Sequence, residues 1–265
     1  MRLKIEHKTL YKFDEPVSFG LQKLRKTPKS SPQQTVVTWH TQVKCGRKEL
    51  EYEDHHHNRV ELLSFEPQAT ELEVSCSGEV DMVDTSGVVG PHRGPSPLWL
   101  YQQQTDLTRA KTGVRALLRD NAITPDLDGM HRLTQAIREA VAYKVGVSEM
   151  SWSAEDVVEA GKGVCQDHSH VFLACARHLD VPARYVSGYL MLNDKTAQEA
   201  MHAWVEAHIG DLGWVGFDVS NGISPDTRYV RVATGLDYTD ASPVTGVRVG
   251  GKGEHLDVRI DVSQQ

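Results

Sequence analysis

The sequence contains no apolar run near the ~20 residues that a membrane-spanning helix needs, so no membrane partner is expected. Its first residues, MRLKIEHKTLYKF, interleave charged and apolar positions. They therefore lack the unbroken apolar segment of a secretory signal. Cysteine is scarce, with four in 265 residues. Cys45, Cys76, Cys165 and Cys175 show no C-x-x-C spacing, and four cysteines do not make a disulfide framework in a chain of this size. The expectation is a cytoplasmic protein with reduced thiols. Positive charge is also in deficit, with 29 Lys+Arg against 36 Asp+Glu and a net charge of −7. A general nucleic-acid binder needs a positive field to hold phosphates, so no nucleic-acid partner is expected. A Gly-rich phosphate loop, an EF-hand and an H-E-x-x-H motif are all missing, and no cofactor or metal is expected. Internal repeats and low-complexity tracts are absent too. What remains, 39% hydrophobic and 25% charged residues, is ordinary for a globular chain that buries a substantial core.

Two kinds of periodicity divide the chain. Leu3, Ile5, His7, Thr9, Tyr11 and Phe13 alternate with mostly charged residues, which predicts a half-buried strand. Val37–Cys45 and Leu72–Met82 repeat the pattern, with Thr27–Pro32 as a turn cluster between strands. Cys45 and Cys76 fall on the apolar phase and are expected in the core. Residues 1–84 are read as an antiparallel β-sandwich domain, and 85–105, rich in Gly, Pro and Ser, as a linker. Beyond it the spacing becomes helical: Met130, Leu133, Ile137 and Val141 form one stripe, and Phe172, Cys175, Ala176 and Leu179 another. Ser153–Asp156 resembles a capping box before a short helix closed by Gly161. Val-, Tyr- and Trp-rich segments at 183–192, 202–209 and 214–219 read as strands. Helices followed by strands give an α+β plan for residues 106–265.

The chemically informative segment is Gly161–His170, GKGVCQDHSH. Glycines lead into a helix whose first turn carries Cys165. A thiol there meets the positive end of the helix dipole and unpaired N–H groups, which favour the thiolate and supply oxyanion donors. Cys175, inside the apolar stripe, reads as inert. A cysteine nucleophile needs a base and the base an orienter. His202 opens one strand and Asp218 closes the next. Antiparallel partners have a constant index sum, and only an even sum puts these two on one face. A sum of 420 places them opposite, with a five-residue connection. A sum of 422 makes them diagonal neighbours, with the three-residue connection 210–212. Both are common hairpin lengths.

The pieces GVCQDHSHVFLACARHLDVPARYVSGYL, HAWVEAHIGDLGWVGFDVSNG and YVRVATGLDY resemble the core of the bacterial transglutaminase-like family, which belongs with the papain-like cysteine enzymes. The region from RLKIEHKTLYKFDEPVSFGLQKLR to about Val83 resembles the N-terminal domain that accompanies it. The resemblance implies Cys165 as nucleophile, His202 as general base and acid, and Asp218 as orienter. It also implies a thioester acyl-enzyme formed from an amide in a peptide, protein or small molecule. Hydrolysis by a protease or amidase is the preferred outcome. Transfer to an amine is the alternative, and a catalytically idle scaffold is the rival from another class. Two departures stand out. His168 replaces the usual aromatic after CQD, and Asp54–Val60, DHHHNRV, replaces a D-x-x-G-N-x-V loop. An upstream aromatic supplies a second oxyanion donor in the family, and Tyr143 is preferred to Trp152 for it. Gln166, Asp167, His168 and Trp204 are candidates for the pocket, although Asp167 also suits a loop-tying role.

Blander readings compete elsewhere. Three adjacent histidines, His55–His57, point in different directions on a turn and read as an exposed loop tip. Zinc on Cys165, His168, His170 and His202 fits less well than a triad. Trp214 reads as core or pocket wall, and Glu206 as either buried or exposed.

Overall fold

The computed structural model describes residues 1–192 and 197–265. In chain order its elements are β1 Arg2–Leu24, β2 Gln34–Lys44, β3 Gly46–Glu53, β4 Arg59–Phe65, β5 Ala69–Met82, β6 Val88–Gly90, α1 Thr112–Asp120, α2 Leu127–Ala140, β7 Ala142–Tyr143, α3 Ala154–Ala160, β8 Lys162–Gly163 and α4 Cys165–His178. There follow β9 Ala183–Leu190, β10 Ala197–Gln198, β11 His202–Ile209, β12 Gly213–Phe217, β13 Tyr229–Gly235, α5 Tyr238–Ala241, β14 Val244–Gly250 and β15 His255–Gln264. The chain is mainly β, with the longer helices grouped between residues 112 and 178.

The alternation at the N-terminus does what period two requires. Leu3, Ile5, His7, Thr9, Tyr11 and Phe13 are all buried, while Arg2, Lys4, Glu6 and Lys8 are exposed. β1 continues well past that pattern and changes partners along its length. Its first half pairs with β5 and β15, its second half with β4 and β14. Among the described residues, β1–β5, β10, β14 and β15 are joined into one sheet. The expected sandwich is therefore corrected to a single hydrogen-bonded sheet, because one 23-residue strand serves both of its halves. The assignment of all of 106–265 to the second unit is corrected as well. β14 and β15 leave it and flank β1, with Leu3 opposite Gln264.

The second sheet runs β13-β9-β11-β12-β6. β6 lies inside the expected linker, and its backbone pairs with β12. Tyr101, further along that segment, is buried edge-on against Trp214 with ring centroids 5.2 Å apart. Residues 85–105 thus act as an edge strand and a plug; their glycines and prolines shape turns without freeing the segment. α4 packs against this sheet and against α2 and α3. One core runs from Val171, Phe172 and Cys175 of α4 through Val205 and Phe217 to Leu3, Ile5, Val80 and Ile260 of the first sheet. A second lies within the first sheet, around Val17, Leu63, Phe65 and Leu72.

The local signals for α3 hold. Ser153 and Asp156 form a reciprocal capping box, and Gly161 closes the helix at φ 63°, a conformation that glycine adopts without Cβ strain. Cys76 is buried as expected. Cys45 is not: it is the corner between β2 and β3, at φ 59°, and only half-buried.

The loop at 54–60 is a further correction, because it docks against the other half of the molecule. His56 is buried, and its Nε2 meets Asp240 Oδ2 at 3.2 Å. His55 is exposed, its ring tilted against His56 with centroids 4.1 Å apart, while His57 turns away to Glu53. Among the described residues, His55, His56 and Asp240 bring ligand atoms within 4.8 Å of one another. Asn58 is the clasp. Its Nδ2 donates to the Thr234 carbonyl at 2.7 Å, and its Oδ1 accepts from the Thr234 N–H at 2.8 Å.

Asn58→Ala would leave both backbone groups of Thr234 buried and unpaired, at a cost of about 1–3 kcal/mol each when no water replaces the amide. Scanning calorimetry should show the unfolding midpoint lowered by about 5–10 °C. An unchanged midpoint would mean that the loop contributes nothing to holding the two halves together.

Candidate active site

Cys165 occupies the first position of α4, after Val164 as N-cap. The first intrahelical bond runs from the His168 N–H to the Val164 carbonyl, so the N–H groups of Cys165 and Gln166 precede it and face the helix end. Asp167 fixes the turn. Its Oδ2 accepts from the Val164 N–H at 2.7 Å and from Ser148 Oγ at 2.6 Å. Gly163 is required by the same carboxylate, since a Cβ there would sit 2.7 Å from Asp167 Cβ and 2.8 Å from its Oδ2. The loop-tying reading of Asp167 is the one its contacts support.

β11 and β12 pair with Val205 opposite Phe217 and Glu206 opposite Gly216, an index sum of 422. Residues Gly210–Leu212 form the short 3₁₀ connection. His202 and Asp218 are therefore diagonal neighbours on one face. His202 Nε2 donates to Asp218 Oδ2 at 2.6 Å. Cys165 lines the same cleft as the imidazole, and its thiol adds to the effect of Asp218 on the ring. Burial disfavours the imidazolium, but the bonds to Asp218 and Cys165 and the charges they carry outweigh it, raising the His202 pKa to about 10. Trp204 lies behind the imidazole, its ring nearly parallel at 6.3 Å.

Asp218 has no exposure to water. Burial alone would raise its pKa; the His202, Asn221 and Tyr229 partners reverse that and lower it. Tyr229 Oη donates to Oδ2 at 2.7 Å, Asn221 Nδ2 to Oδ2 at 2.7 Å, and the Asn221 N–H to Oδ1 at 3.1 Å. Sequence reasoning missed Asn221 and Tyr229. Their available signal was position: Asn221 lies in the turn just after Asp218, and Tyr229 opens the next strand.

A cleft of about 650 Å³ opens on Cys165, lined there by Gln166, His202, Tyr185, Tyr238 and Met150 and on the far side by the first sheet. Of the four candidate pocket residues only Gln166 lies in its wall. Asp167 faces its own loop. Trp204 is buried against Tyr229, edge to face at 5.5 Å. His168 is a strut: Nε2 donates to the Val141 carbonyl at 2.9 Å and Nδ1 accepts from Ser220 Oγ at 2.9 Å. Burial lowers its pKa, so the ring stays neutral. It replaces an aromatic by satisfying a carbonyl that a phenyl ring would leave unpaired.

Tyr143 is half-exposed on β7, whose pairing with β8 carries it to the Gly163 side of Cys165. Burial and then the charges of Cys165 and Asp218 raise its pKa, so the phenol keeps its proton. Trp152 packs on the core instead. The zinc alternative fails on geometry, because His168 is committed to Val141 and His170 Nε2 accepts from the Tyr238 N–H at 3.3 Å. Cys175 is wholly buried, and burial drives its thiol pKa far up. Glu206 is buried between Arg184 at 2.6 Å and Arg231 at 3.0 Å, and Trp214 carries the Arg184 guanidinium 4.0 Å over its ring.

Residues 116–219 match the transglutaminase-like superfamily model, and residues 3–81 match the bacterial transglutaminase-like N-terminal region. An uncharacterized protein of Mycobacterium leprae is 27% identical over 99% of both chains. One from Mycobacterium tuberculosis is 31% identical over 52% of this chain and 48% of its own. The fold is similar to that of a crystal structure named "a Putative Cysteine Protease from Cytophaga hutchinsonii", with a TM-score of 0.81, 20% identity and coverage of 99% and 90% of the two chains.

Asp218→Asn removes the charge that helps to hold the imidazolium. The His202 titration midpoint, read by NMR of the imidazole, should fall by about 1–3 pH units. The same pairing with Asp218 stabilises the folded protein while His202 is charged. The folded pKa of about 10 lies above the ordinary 6.5, so the contribution is complete below pH 6.5 and is lost as pH rises through about 10. An unmoved midpoint would assign the effect to Cys165 alone.

Proposed function

The chain belongs to the bacterial transglutaminase-like family, and from that premise we propose that it is a cysteine hydrolase of amide bonds, acting through Cys165, His202 and Asp218. The observation that carries the reading is a buried carboxylate hydrogen-bonded to an imidazole that shares its cleft with a thiol at a helix N-terminus. Cys165 Sγ attacks the amide carbonyl. The carbonyl oxygen takes the negative charge and accepts from the Cys165 N–H and the Tyr143 phenol. The C–N bond breaks as His202 gives its proton to the leaving amine, and a thioester remains. Water then attacks, His202 takes its proton, and the acid departs from the restored thiolate. Asp218 holds the ring and balances its charge without taking the proton.

Amine transfer would share every step up to the thioester. Hydrolysis is favoured because water needs no site of its own, whereas transfer needs an amine held beside the thioester. Two features bear on the setting. No helix among the described residues is long and apolar enough to cross a membrane, and all four cysteines are free thiols.

Iodoacetamide at pH about 6 should alkylate Cys165, because a thiol at a helix N-terminus beside an imidazole is placed to act as a nucleophile. Mass spectrometry should show the label lost in Cys165→Ala and kept in Cys175→Ala. Cys165→Ser should fold but lose most turnover of peptide and glutamine amides. Supplying a primary amine should leave hydrolysis dominant; an amide product would move the assignment to acyl transfer. Full labelling of Cys165→Ala would leave an idle scaffold as the better description.

A further inference from the structure

At the end remote from Cys165 the cleft is walled by β1 and the segment after it, including His7, Thr9, Gln22 and Lys26. Lys26 is 1% exposed. Its Nζ donates to Thr9 Oγ1 at 2.6 Å, and Thr9 Oγ1 lies 3.2 Å from His7 Nε2. His7 Nδ1 meets Tyr189 Oη at 3.1 Å, and that hydroxyl donates to the Lys26 carbonyl at 3.3 Å. No carboxylate pairs with Lys26 among the described residues. An ammonium has three N–H groups, and Thr9 takes one. Burial and the neighbouring ammonium push His7 down to about 2, so it stays neutral. Gln22, also buried in this wall, has an Oε1 without a partner among the described residues. A buried ammonium without a counter-charge is costly, and a cavity wall is where a ligand can offset that cost.

We propose that Lys26 and Gln22 anchor the acyl donor at the far end of the cleft, Lys26 binding a carboxylate of a peptide substrate and the Gln22 carbonyl accepting one of its N–H groups. The proposal rests on the reading of Cys165 as nucleophile. It names a substrate class: short acidic or carboxyl-terminal peptides. A single ammonium balances a single carboxylate, whereas a phosphate dianion would bring a surplus charge into a buried wall. The spacing follows from β9. Tyr185 lines the cleft with Cys165, and Tyr189, four residues on and about 13 Å along the strand at ~3.3 Å per residue, meets the Lys26 carbonyl. The carboxylate therefore lies two to four extended residues from the scissile carbonyl. Glu254, also in the wall, is neutralised by Arg248.

The test uses N-iodoacetyl oligoglycines of one to four residues, each ending in a carboxylate or a carboxamide, with Cys165 alkylation followed by mass spectrometry at low salt. The carboxylate-to-carboxamide rate ratio should be near one for the shortest probe and rise to about tenfold once the chain reaches Lys26. Lys26→Met should return it to one, and Lys26→Arg should keep part of it. In the unmodified protein the ratio should also fall as pH rises through about 8, where burial places the Lys26 pKa. The titratable groups facing it stay neutral across that range: His7 is lowered by burial, while Cys76 and Tyr189 are raised by it. Equal rates at every probe length, or a preference that survives Lys26→Met, would overturn the anchor. Failure of iodoacetamide itself to label Cys165 would overturn the nucleophile instead.

Discussion

A carboxylate sealed from water is the constraint on which the site depends. Asp218 keeps its charge in a buried position only because His202, Asn221 and Tyr229 together supply the hydrogen bonds that water would have given. Each partner comes from a different piece of chain: β11, the turn after β12, and the start of β13. The demand of one side chain therefore fixes the relative placement of three backbone segments. The imidazole inherits its orientation and its high proton affinity from that arrangement, and the thiol inherits its partner.

The same logic recurs inside the second half of the molecule and at its contact with the first. Arg177 is buried and spends its donors on the carbonyls of Tyr101, Ala183 and Leu236 and on the Thr108 hydroxyl. It joins the segment before α1, the helix carrying the thiol, and the strand carrying Tyr185. Asn58 does the corresponding work for the loop of the first sheet. Such groups are costly to bury and are satisfied in one geometry, so they select a register that apolar packing alone would leave loose.

Legibility in the sequence followed locality. The β1 alternation, the Ser153 capping box and the two parity-allowed hairpin registers depend on neighbours within a few residues or on one ladder, and they could be read. β3 could not, because nearly every residue of GRKELEYE is exposed and no apolar phase marks it. The pairing of β14 and β15 with β1 spans most of the chain and leaves no local trace. His56 and Lys26 were hidden for the opposite reason: polar residue types suggest exposure, yet contacts from distant segments bury both. Asn221 and Tyr229 were missed because a carboxylate's helpers need only donate, which many residue types can do.

The long reach of β1 bears on how the protein is made. With Leu3 opposite Gln264 and Leu24 opposite Val244, one side of the first strand is completed only by strands synthesised much later in the chain. Until then β1 offers an unpaired edge, the kind of template on which nascent chains pair with one another. Sequence-distant pairing of this sort also slows the search for the native state. The alternating charged residues Arg2, Lys4, Glu6, Lys8 and Lys12 would then serve the growing chain as well as the finished one, keeping a waiting strand soluble while its partner is still being synthesised.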